Sequence, residues 1–284
     1  MNIEVVNYGE PHYPELLNYI TTPPKRLYYR GDISLASKPA IAIVGARKAT
    51  GYGQWVAYQL ARRLAQYGIV SVSGMAYGID TWTHKGSLEN GGKTIAVLGC
   101  GPDVCYPASN KKIMEEISRE GLILSEYEPG TTPLPYMFPM RNRLISGISI
   151  STVIAEAGLK SGSLITAECA AEQGRNIYAV PGNINSVYSI GTNKLIRDGA
   201  IPITLLDDII EDLGIERICT PSQKEKLGKD ETCILSLVEK YGEINSDFIC
   251  RKTGKSPSAV NSIVTILEMK GILQTSLGKI FIAK

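Results

Sequence analysis

Short apolar runs alternate with longer amphipathic segments between residues 40 and 213. The run Ala40–Val44 is apolar throughout, which is typical of a strand buried on both faces. The segment after it places Val56, Leu60 and Leu64 on one face of a helix. The same pattern predicts strands over 69–73, 94–98, 122–125, 150–155, 176–180 and 201–205, and helices from about 80 and over 110–120, 164–172, 191–197 and 207–213. This alternation predicts an α/β fold, an extended Rossmann-like, doubly wound and mainly parallel sheet with helices on both faces.

Small-residue loops follow five of the predicted strands. In a doubly wound sheet, ligands bind at the carboxyl ends of the strands. The loops come after Val44, Ser73 and Leu98, at Lys160–Gly162 and at Pro181–Gly182. Since all of them would lie on one rim, we expect a long groove there rather than a single hole.

The stretch from 138 to 167, FPMRNRLISGISISTVIAEAGLKSGSLITA, combines basic residues with a strand, a loop and a helix. The loop Lys160–Ser163 separates the predicted strand from the predicted helix. Free backbone N–H groups and the helix dipole favour an anion at such a helix start. Because Arg141, Arg143 and Lys160 are close by in sequence, we expect that anion to be a phosphate.

The direction of the arginine side chains depends on the local structure. On a helix, Arg141 and Arg143 would diverge, whereas on an extended segment they would point the same way. A surface turn with ion pairs is the alternative for this R-N-R segment. Phe138 is either a core residue or a platform on which a base stacks. Arg47, after the first predicted strand, either grips a phosphate or pairs with a surface carboxylate.

Two glycine-rich loops invite comparison with known chemistry. The loop from Gly45 to Gly53 lacks a full G-x-G-x-x-G, and no acidic residue follows at the spacing that would hold a ribose, so we expect no nicotinamide dinucleotide site. In the loop after Ser73, Asp80 is placed to cap the next helix and His84 lies one turn later. A catalytic pair is conceivable, but no nucleophile accompanies it, so we favour a structural role.

The two ends of the chain differ from the middle. Residues 1–38 are rich in Pro and Tyr, and we expect an irregular extension that wraps the core of 39–214. A polar linker is predicted over 215–230. Residues 231–284 read as three helices and two short strands, the outline of a winged helix. Its third predicted helix, 256–270, carries few basic groups on its exposed face, although Arg251, Lys252 and Lys255 come just before it; a protein-interaction or structural role is the alternative to duplex binding.

Composition limits the functional classes. The chain has 284 residues, 30 basic and 28 acidic, so a formal charge of +2 does not by itself indicate nucleic-acid binding. Its six cysteines are scattered and only two histidines are present, so we expect no metal site and reduced thiols. No apolar run approaches the roughly 18 residues that a membrane span needs. We therefore expect a cytoplasmic protein that does not insert into membranes.

These motifs together resemble a known family. They occur in one order, as Ile43–Arg47, Tyr52–Gly53, Ser73–Asp80, Phe138–Arg143, Glu156–Ala157, Ser161–Ala167, Pro181–Gly182 and Gly191–Asn193. From about residue 8 to residue 214 the chain resembles the DNA-processing protein A family, DprA, also called Smf. Met75 stands where that family often has a second glycine.

The resemblance implies a homodimer that binds single-stranded DNA, protects incoming DNA and loads the recombinase RecA during natural transformation. It implies no catalysed reaction and no cofactor. The implied DNA-binding residues are Gly45, Arg47, Phe138, Arg141, Asn142, Arg143, Lys160, Ser161, Gly162, Ser163 and Thr166. The implied dimer contacts are Ile209, Ile210 and Leu213.

Two alternatives belong to other classes. A phosphoribohydrolase on a related Rossmann fold would carry a P-G-G-x-G-T-x-x-E loop with a catalytic glutamate. Here the glycine pair is absent from 159–168, and Glu168 is wrongly spaced from the threonine. A transcription regulator acting through the winged helix is the other alternative, and it predicts sequence-specific duplex binding by 225–284.

Overall fold

The computed structural model of the protein describes residues 2–214, 228–269, 272–276 and 278–282. The chain divides into two compact units, Met1–Ile218 and Cys219–Lys284. The predicted linker lies outside the described residues as far as 227. Its last residues belong to a helix, because Gly228 is the N-cap of a helix that begins at Lys229.

One large, mainly parallel sheet organises the first unit. Within the described residues its strands are β1 Glu4–Asn7, β2 Arg26–Gly31, β3 Ala40–Gly45, β4 Val70–Ser73, β5 Thr94–Leu98, β6 Leu122–Ser125, β7 Ser151–Glu156, β8 Asn176–Ala179 and β9 Ile201–Pro202. Their order is β1-β2-β6-β5-β4-β3-β7-β8-β9. Strands β3 to β9 run parallel to one another, as predicted. Strand β2 is antiparallel to its neighbour β6, and β1 is antiparallel to β2. Strand β9 is shorter than predicted, covering only Ile201–Pro202.

Helices cover both faces of this sheet. They are α1 Gly51–Gln66, α2 Ile79–Leu88, α3 Lys111–Glu120, α4 Met137–Gly147, α5 Ser163–Glu172, α6 Ile190–Arg197 and α7 Asp208–Asp212, with short 3-10 helices at Glu15–Tyr19, Ile33–Ser37 and Ala108–Asn110. Strand β3 shows the two layers. Ala42 and Val44 belong to the apolar core on one face, while Ile41 and Ile43 belong to the core on the other. The prediction of a doubly wound α/β sheet is therefore confirmed.

The N-terminal segment is more regular than its composition indicates. Strand β2 pairs with β6, and β1 pairs with β2, so the segment extends the main sheet. The hydroxyl of Tyr13 donates to the carbonyl of Pro24 at 2.8 Å, closing the connection between the two strands. The expectation of an irregular extension over 1–38 was wrong, because the prolines of this segment lie between the strands rather than in them.

Helix α4 holds the R-N-R segment, which the sequence analysis left without a regular structure. Its third residue is Pro139. A proline in the first turn costs no hydrogen bond, because the N–H groups there have no partner within the helix. Pro139 is therefore compatible with the helix.

The second unit contains, in its described part, three helices and a hairpin around its own core. They are α8 Lys229–Tyr241, α9 Ser246–Thr253, α10 Pro257–Met269, β10 Leu273–Ser276 and β11 Lys279–Ile282. Residues such as Ile234, Ile249 and Leu267 are buried together. Asn245 caps α9 by accepting a hydrogen bond from the N–H of Phe248. The end predicted for the third helix, Lys270, lies outside the described residues. Nowhere in the described parts of either unit is a helix long and apolar enough to cross a membrane.

Candidate functional site

A cavity of about 510 Å³ opens at the carboxyl ends of the parallel strands. It lies where the chain switches direction across the sheet, because β4, β5 and β6 extend to one side of β3 while β7, β8 and β9 extend to the other. Ligands bind at such a switch point in open α/β sheets. The lining residues are Val44, Gly45, Ala46, Arg47, Ala76, Asp80, Tyr106, Pro135, Phe138, Pro139, Arg141, Asn142, Ile145, Lys160, Ser161, Gly162, Ser163, Ile165 and Thr166.

The five predicted loops do not contribute equally. The loops after β3, β4 and β7 line the cavity directly. The chain after β5 reaches it only through Tyr106, and Pro181–Gly182 does not line it. The long groove predicted along the whole rim is thus, in the described residues, a shorter cavity centred on β3 and β7.

Arg47 stands on the loop that leaves β3. Its side chain is exposed, and its guanidinium carbon lies 5.2 Å from the centroid of the Phe138 ring. The N–H of Ala46 donates to the carbonyl of Glu156 at 2.7 Å, so the base of this loop is tied to the end of β7. A Cβ at Gly45 would approach the Glu156 carbonyl to 2.8 Å, which explains the glycine. The close packing of β3 on β7 therefore fixes the position of the backbone from which the Arg47 side chain extends.

The start of helix α5 also lines the cavity. Lys160 is exposed, and Ser161, Gly162 and Ser163 lead into the helix. The hydroxyls of Ser161 and Ser163 are 2.7 Å apart, and the side-chain amide of Asn142 donates to the carbonyl of Gly162 at 3.2 Å. A helix N-terminus beside an exposed lysine attracts an anion, so this part of the cavity has the electrostatics of a phosphate site.

The start of helix α1, by contrast, is already occupied. The carboxylate of Glu156 accepts a hydrogen bond from the Thr50 N–H at 3.1 Å and another from the Thr50 hydroxyl at 2.8 Å. Gly53 lies directly against it, and a Cβ there would collide with the carboxylate. In dinucleotide-binding folds the pyrophosphate sits at the first helix of the sheet. Here the chain's own carboxylate fills that position, which agrees with the expectation of no nicotinamide dinucleotide.

Arg141 lines the base of the cavity from a buried position. It is buried, and its guanidinium donates to the carbonyl of Gly74 at 2.7 Å and to the carbonyl of Val97. A Cβ at Gly74 would lie 2.6 Å from two guanidinium nitrogens, so the absence of a side chain makes room for the arginine. Burial lowers the pKa of Arg141 to about 10, opposed by the charge of Asp80. The residue stays positive at neutral pH and ties the ends of β4 and β5 to α4.

The structure does not bring Arg143 to the cavity. Residues two apart on a helix point in nearly opposite directions, and α4 directs Arg143 toward Glu126, where the ion pair measures 2.6 Å. Both arginines would face a ligand only if the segment were extended. Because the segment is helical, Arg143 points away from the cavity.

Asp80 and His84 have structural contacts. The carboxylate of Asp80 accepts hydrogen bonds from the N–H groups of Gly74 and Ala76, at 3.1 and 3.2 Å, and holds the loop after β4. Asp80 is the second residue of α2, so the cap role expected for it was wrong; Gly78 is the N-cap. Burial raises the pKa of Asp80, while Arg141 and the hydrogen bonds oppose the rise.

His84 is fully buried, and its Nδ1 lies 2.8 Å from the hydroxyl of Thr94. Burial lowers its pKa to about 3, with the charge of Arg141 adding to the effect. The imidazole is neutral at pH 7 and has no access to a substrate. This favours the structural reading over a catalytic pair.

The residues expected at a dimer contact lie inside the protomer. Ile209 and Ile210 are 1% and 3% exposed and pack in the core beside α1, and Leu213 packs partly against the same core. The apolar spacing that indicated an interface is the buried face of α7. These side chains therefore leave little surface for a partner, and their assignment to a dimer contact is corrected.

Two aromatic residues of the site were missed by the sequence analysis. Tyr106 lines the main cavity, and Tyr77 lines a small adjoining cavity together with Arg47, Tyr106 and Phe138. Both side chains are largely exposed, at 50% for Tyr77 and 42% for Tyr106. An exposed aromatic residue in a loop after a parallel strand was the available signal. In the described residues, no group of three or more metal-ligating side chains lies together.

Comparison with known proteins connects this site to a family. The family model described as DNA recombination-mediator protein A matches residues 4–214. The chain belongs to this family. DNA processing protein DprA of Streptococcus pneumoniae is 43% identical over 198 residues, 70% of each chain. That of Bacillus subtilis is 41% identical over 212 residues, 74% of this chain and 71% of the relative.

Solved structures of the family have the same fold. The X-ray structure of DprA from Streptococcus pneumoniae has a TM-score of 0.71 at 40% identity and covers 75% of each chain. The structure of DNA processing protein A from Helicobacter pylori has a TM-score of 0.69 at 35% identity, covering 75% of this chain and 96% of that one. The work on that second protein concerns its unique single-stranded DNA binding mode.

Met75 stands at the position where the family resemblance implies a second glycine. It adopts a φ of 61°, in the left-handed region that favours glycine, and its side chain is fully buried beside Leu98 and Met114. The burial of a methionine side chain, about 1.5–3 kcal/mol, is of the same size as the roughly 1–3 kcal/mol of backbone strain and offsets it. The loop after β4 thus keeps the backbone shape of a glycine loop with a larger side chain.

Proposed function

We propose that this protein binds single-stranded DNA in the cavity at β3 and β7, protects incoming DNA and loads RecA onto it during natural transformation. In this scheme it acts as a recombination mediator and catalyses no reaction. Membership of the DNA recombination-mediator protein A family supports the general assignment. The structure from Helicobacter pylori, whose subject is single-stranded DNA binding by a relative, supports the choice of ligand.

The observation that carries the proposal is the distribution of charge in the cavity. Arg47 and Lys160 are exposed and come from two different strand ends, while the buried Arg141 adds a third positive charge below them. Asp80 is the acid among the lining residues, and two backbone N–H groups already bind it. The start of α5 is open to the cavity, whereas Glu156 fills the start of α1. A chain of phosphates is the ligand that this arrangement fits.

The binding mode follows from these groups. Phosphates lie along Arg47, Lys160 and the N–H groups at the start of α5, and a base enters the cavity near Phe138. The contacts that we assign are to the backbone and to the face of a base, so affinity should tolerate changes of sequence and fall with salt. Asn142 acts indirectly, through its hydrogen bond to Gly162. Arg143 has no part in this mode, because it pairs with Glu126 outside the lining.

The site offers little to an enzyme of the phosphoribohydrolase type. Glu168, the acid nearest to that motif in sequence, is exposed on α5 and does not line the cavity. His84 is fully buried and neutral, and the carboxylate of Asp80 already accepts hydrogen bonds from the loop after β4. These placements support the non-enzymatic role.

The test is fluorescence anisotropy with labelled oligo-dT and a duplex of equal length over a salt series. We expect the protein to prefer the single strand. Arg47→Glu should weaken binding at least roughly tenfold, because it replaces a charge-assisted hydrogen bond to phosphate with a repulsion. Its contact with Phe138 lies at the surface, so the fold should persist.

Lys48→Glu is the matched control. Lys48 is the next residue, is also exposed and lies outside the lining of the cavity, and the substitution changes the net charge by the same amount. A loss confined to Arg47→Glu supports the cavity as the binding site. Equal losses in both variants, or parent-like binding by Arg47→Glu, would refute it.

RecA loading, the homodimer and the winged helix rest mainly on the resemblance. We infer that the protein accelerates RecA assembly on a single strand already coated by a single-strand-binding protein, measured as RecA ATP hydrolysis; no acceleration would overturn this part alone. We infer a homodimer in the cytoplasm.

We also infer that α8, α9, α10 and the hairpin form a winged helix that contacts protein. The exposed face of the described part of α10 carries small, uncharged side chains at Ser258, Asn261, Ser262 and Thr265.

A further inference from the structure

We propose that Tyr106 is the residue on which a DNA base stacks, and that Phe138 is a positioning residue that holds the guanidinium of Arg47 in the cavity. The proposal rests on the proposed single-stranded DNA binding and names the residue that takes the base. It differs from the simplest expectation, in which Phe138, within the F-P-x-R-N-R segment, is itself the platform.

The ring of Phe138 is already in use. The guanidinium of Arg47 lies over it, 5.2 Å from its centroid. The ring of Tyr106 lies beside it, with centroids 5.3 Å apart and a tilt of 38°. The backbone of Gly99 closes another side, since a Cβ there would come within 3.0 Å of the Phe138 ring. A base could stack on Phe138 only by displacing the arginine that is needed for phosphate.

The contact between Arg47 and Phe138 gives the arginine a defined place. An arginine on a surface loop has many rotamers, and fixing one of them costs conformational entropy on binding. A guanidinium held over an aromatic face has lost part of that freedom before the ligand arrives. Phe138 is anchored in the first turn of α4, so it can hold Arg47 without touching the DNA.

Of the two aromatic residues that line the main cavity, Tyr106 is the one whose ring remains available, while the exposed Tyr77 lines only the small adjoining cavity. It is 42% exposed and lines the main cavity, and it also lines the small adjoining cavity with Arg47 and Phe138. Its ring is therefore adjacent to the place where Arg47 would bind a phosphate. Stacking on an aromatic side chain tolerates any base, in keeping with the sequence-tolerant binding proposed above.

The two roles predict different signatures in one experiment. Each variant is titrated with oligo-dT and with an abasic oligomer of the same length, over a salt series. The ratio of the two affinities measures base stacking, and the salt dependence measures phosphate contacts. A residue with a merely structural role would move neither quantity in a folded protein.

For Tyr106→Ala we expect a loss of roughly tenfold or more on oligo-dT and a dT-to-abasic ratio near one, with the salt dependence of the parent. Tyr106→Phe, which keeps the ring, should restore the ratio.

Phe138→Leu should behave like Arg47→Ala. Both variants should keep the dT-to-abasic ratio of the parent and have a salt slope shallower by about 0.7, the value of one phosphate contact on a single strand. Tyr19→Ala, at a tyrosine that is 71% exposed and lines neither cavity, is the control and should match the parent.

Three results would overturn the proposal. The first is a parent-like ratio in Tyr106→Ala. The second is the reverse assignment, in which Phe138→Leu abolishes the ratio and keeps the salt slope. The third is a parent protein that does not bind oligo-dT, which would refute the proposed function as well; the first two leave that function standing. Tyr106→Leu repeats the first test if the alanine variant does not fold.

Discussion

The burial of His84 makes a quantitative prediction about acid stability. The pKa of this imidazole falls from the ordinary 6.5 to about 3 in the folded protein, because burial removes the charged form from water and Arg141 lies nearby. Below pH 6.5 the unfolded chain binds a proton at this residue and the folded chain does not. A depressed pKa therefore contributes stability that is present above pH 6.5 and is lost as the pH falls toward 3.

The magnitude follows from the two pKa values. Between pH 8 and pH 5 the unfolded state gains almost a full proton at His84, which lowers the free energy of unfolding by about 2 kcal/mol. His84→Asn removes the titrating group and keeps a hydrogen-bonding atom near the Nδ1 that contacts Thr94. The variant should be less stable at pH 8, by about 1–3 kcal/mol, because it leaves a void. Its stability should then fall by about 2 kcal/mol less than that of the parent over the same pH range.

The assay is urea unfolding followed by tryptophan fluorescence. The two tryptophans of the chain, Trp55 and Trp82, lie on α1 and α2, so their emission reports the unit that contains His84. A second measurement follows the imidazole C–H signals by NMR between pH 5 and 8, with His12→Gln to assign the two histidines. Parallel pH dependences of parent and variant would refute the reasoning, as would titration of His84 near 6.5.

Two further substitutions test the supports of the cavity by urea unfolding. Gly74→Ala should lower the free energy of unfolding by about 1–3 kcal/mol, because its Cβ would lie 2.6 Å from the Arg141 guanidinium; an unchanged value would mean that the arginine moves freely. Glu156→Gln should cost about 1–2 kcal/mol, because Thr50 and the start of α1 lose a charged acceptor. The exposed Glu168→Gln is its control, and equal effects would contradict the role of Glu156.

The fold was largely predictable because the main sheet is built from local patterns. Strand β3 is apolar at every position, and its alternate residues supply two different cores. Strands β1 and β2 were missed, because they lie in a segment whose prolines suggested irregular structure. Whether a half-apolar segment becomes a strand depends on a partner edge, here β6, which lies far away in the sequence.

The candidate site was predicted in part. Arg47, Phe138, Arg141, Lys160 and the start of α5 do line one cavity, as the carboxyl-edge rule predicts. The directions of the side chains were not predictable. They depend on whether the R-N-R segment is helical or extended, and the sequence analysis left both possibilities open.

The sequence by itself determined the alternation of strands and helices, the parallel sheet and the edge at which its loops gather. These features follow from spacings within a few residues. Only the tertiary structure decided that Arg141 lies at the base of the cavity, that Glu156 fills the start of α1 and that His84 is sealed. The bond from Arg141 to Gly74 spans 67 residues and the bond from Thr50 to Glu156 spans 106. Contacts of this length depend on how the whole sheet packs, because burial and charge are properties of the folded neighbourhood and not of the local chain.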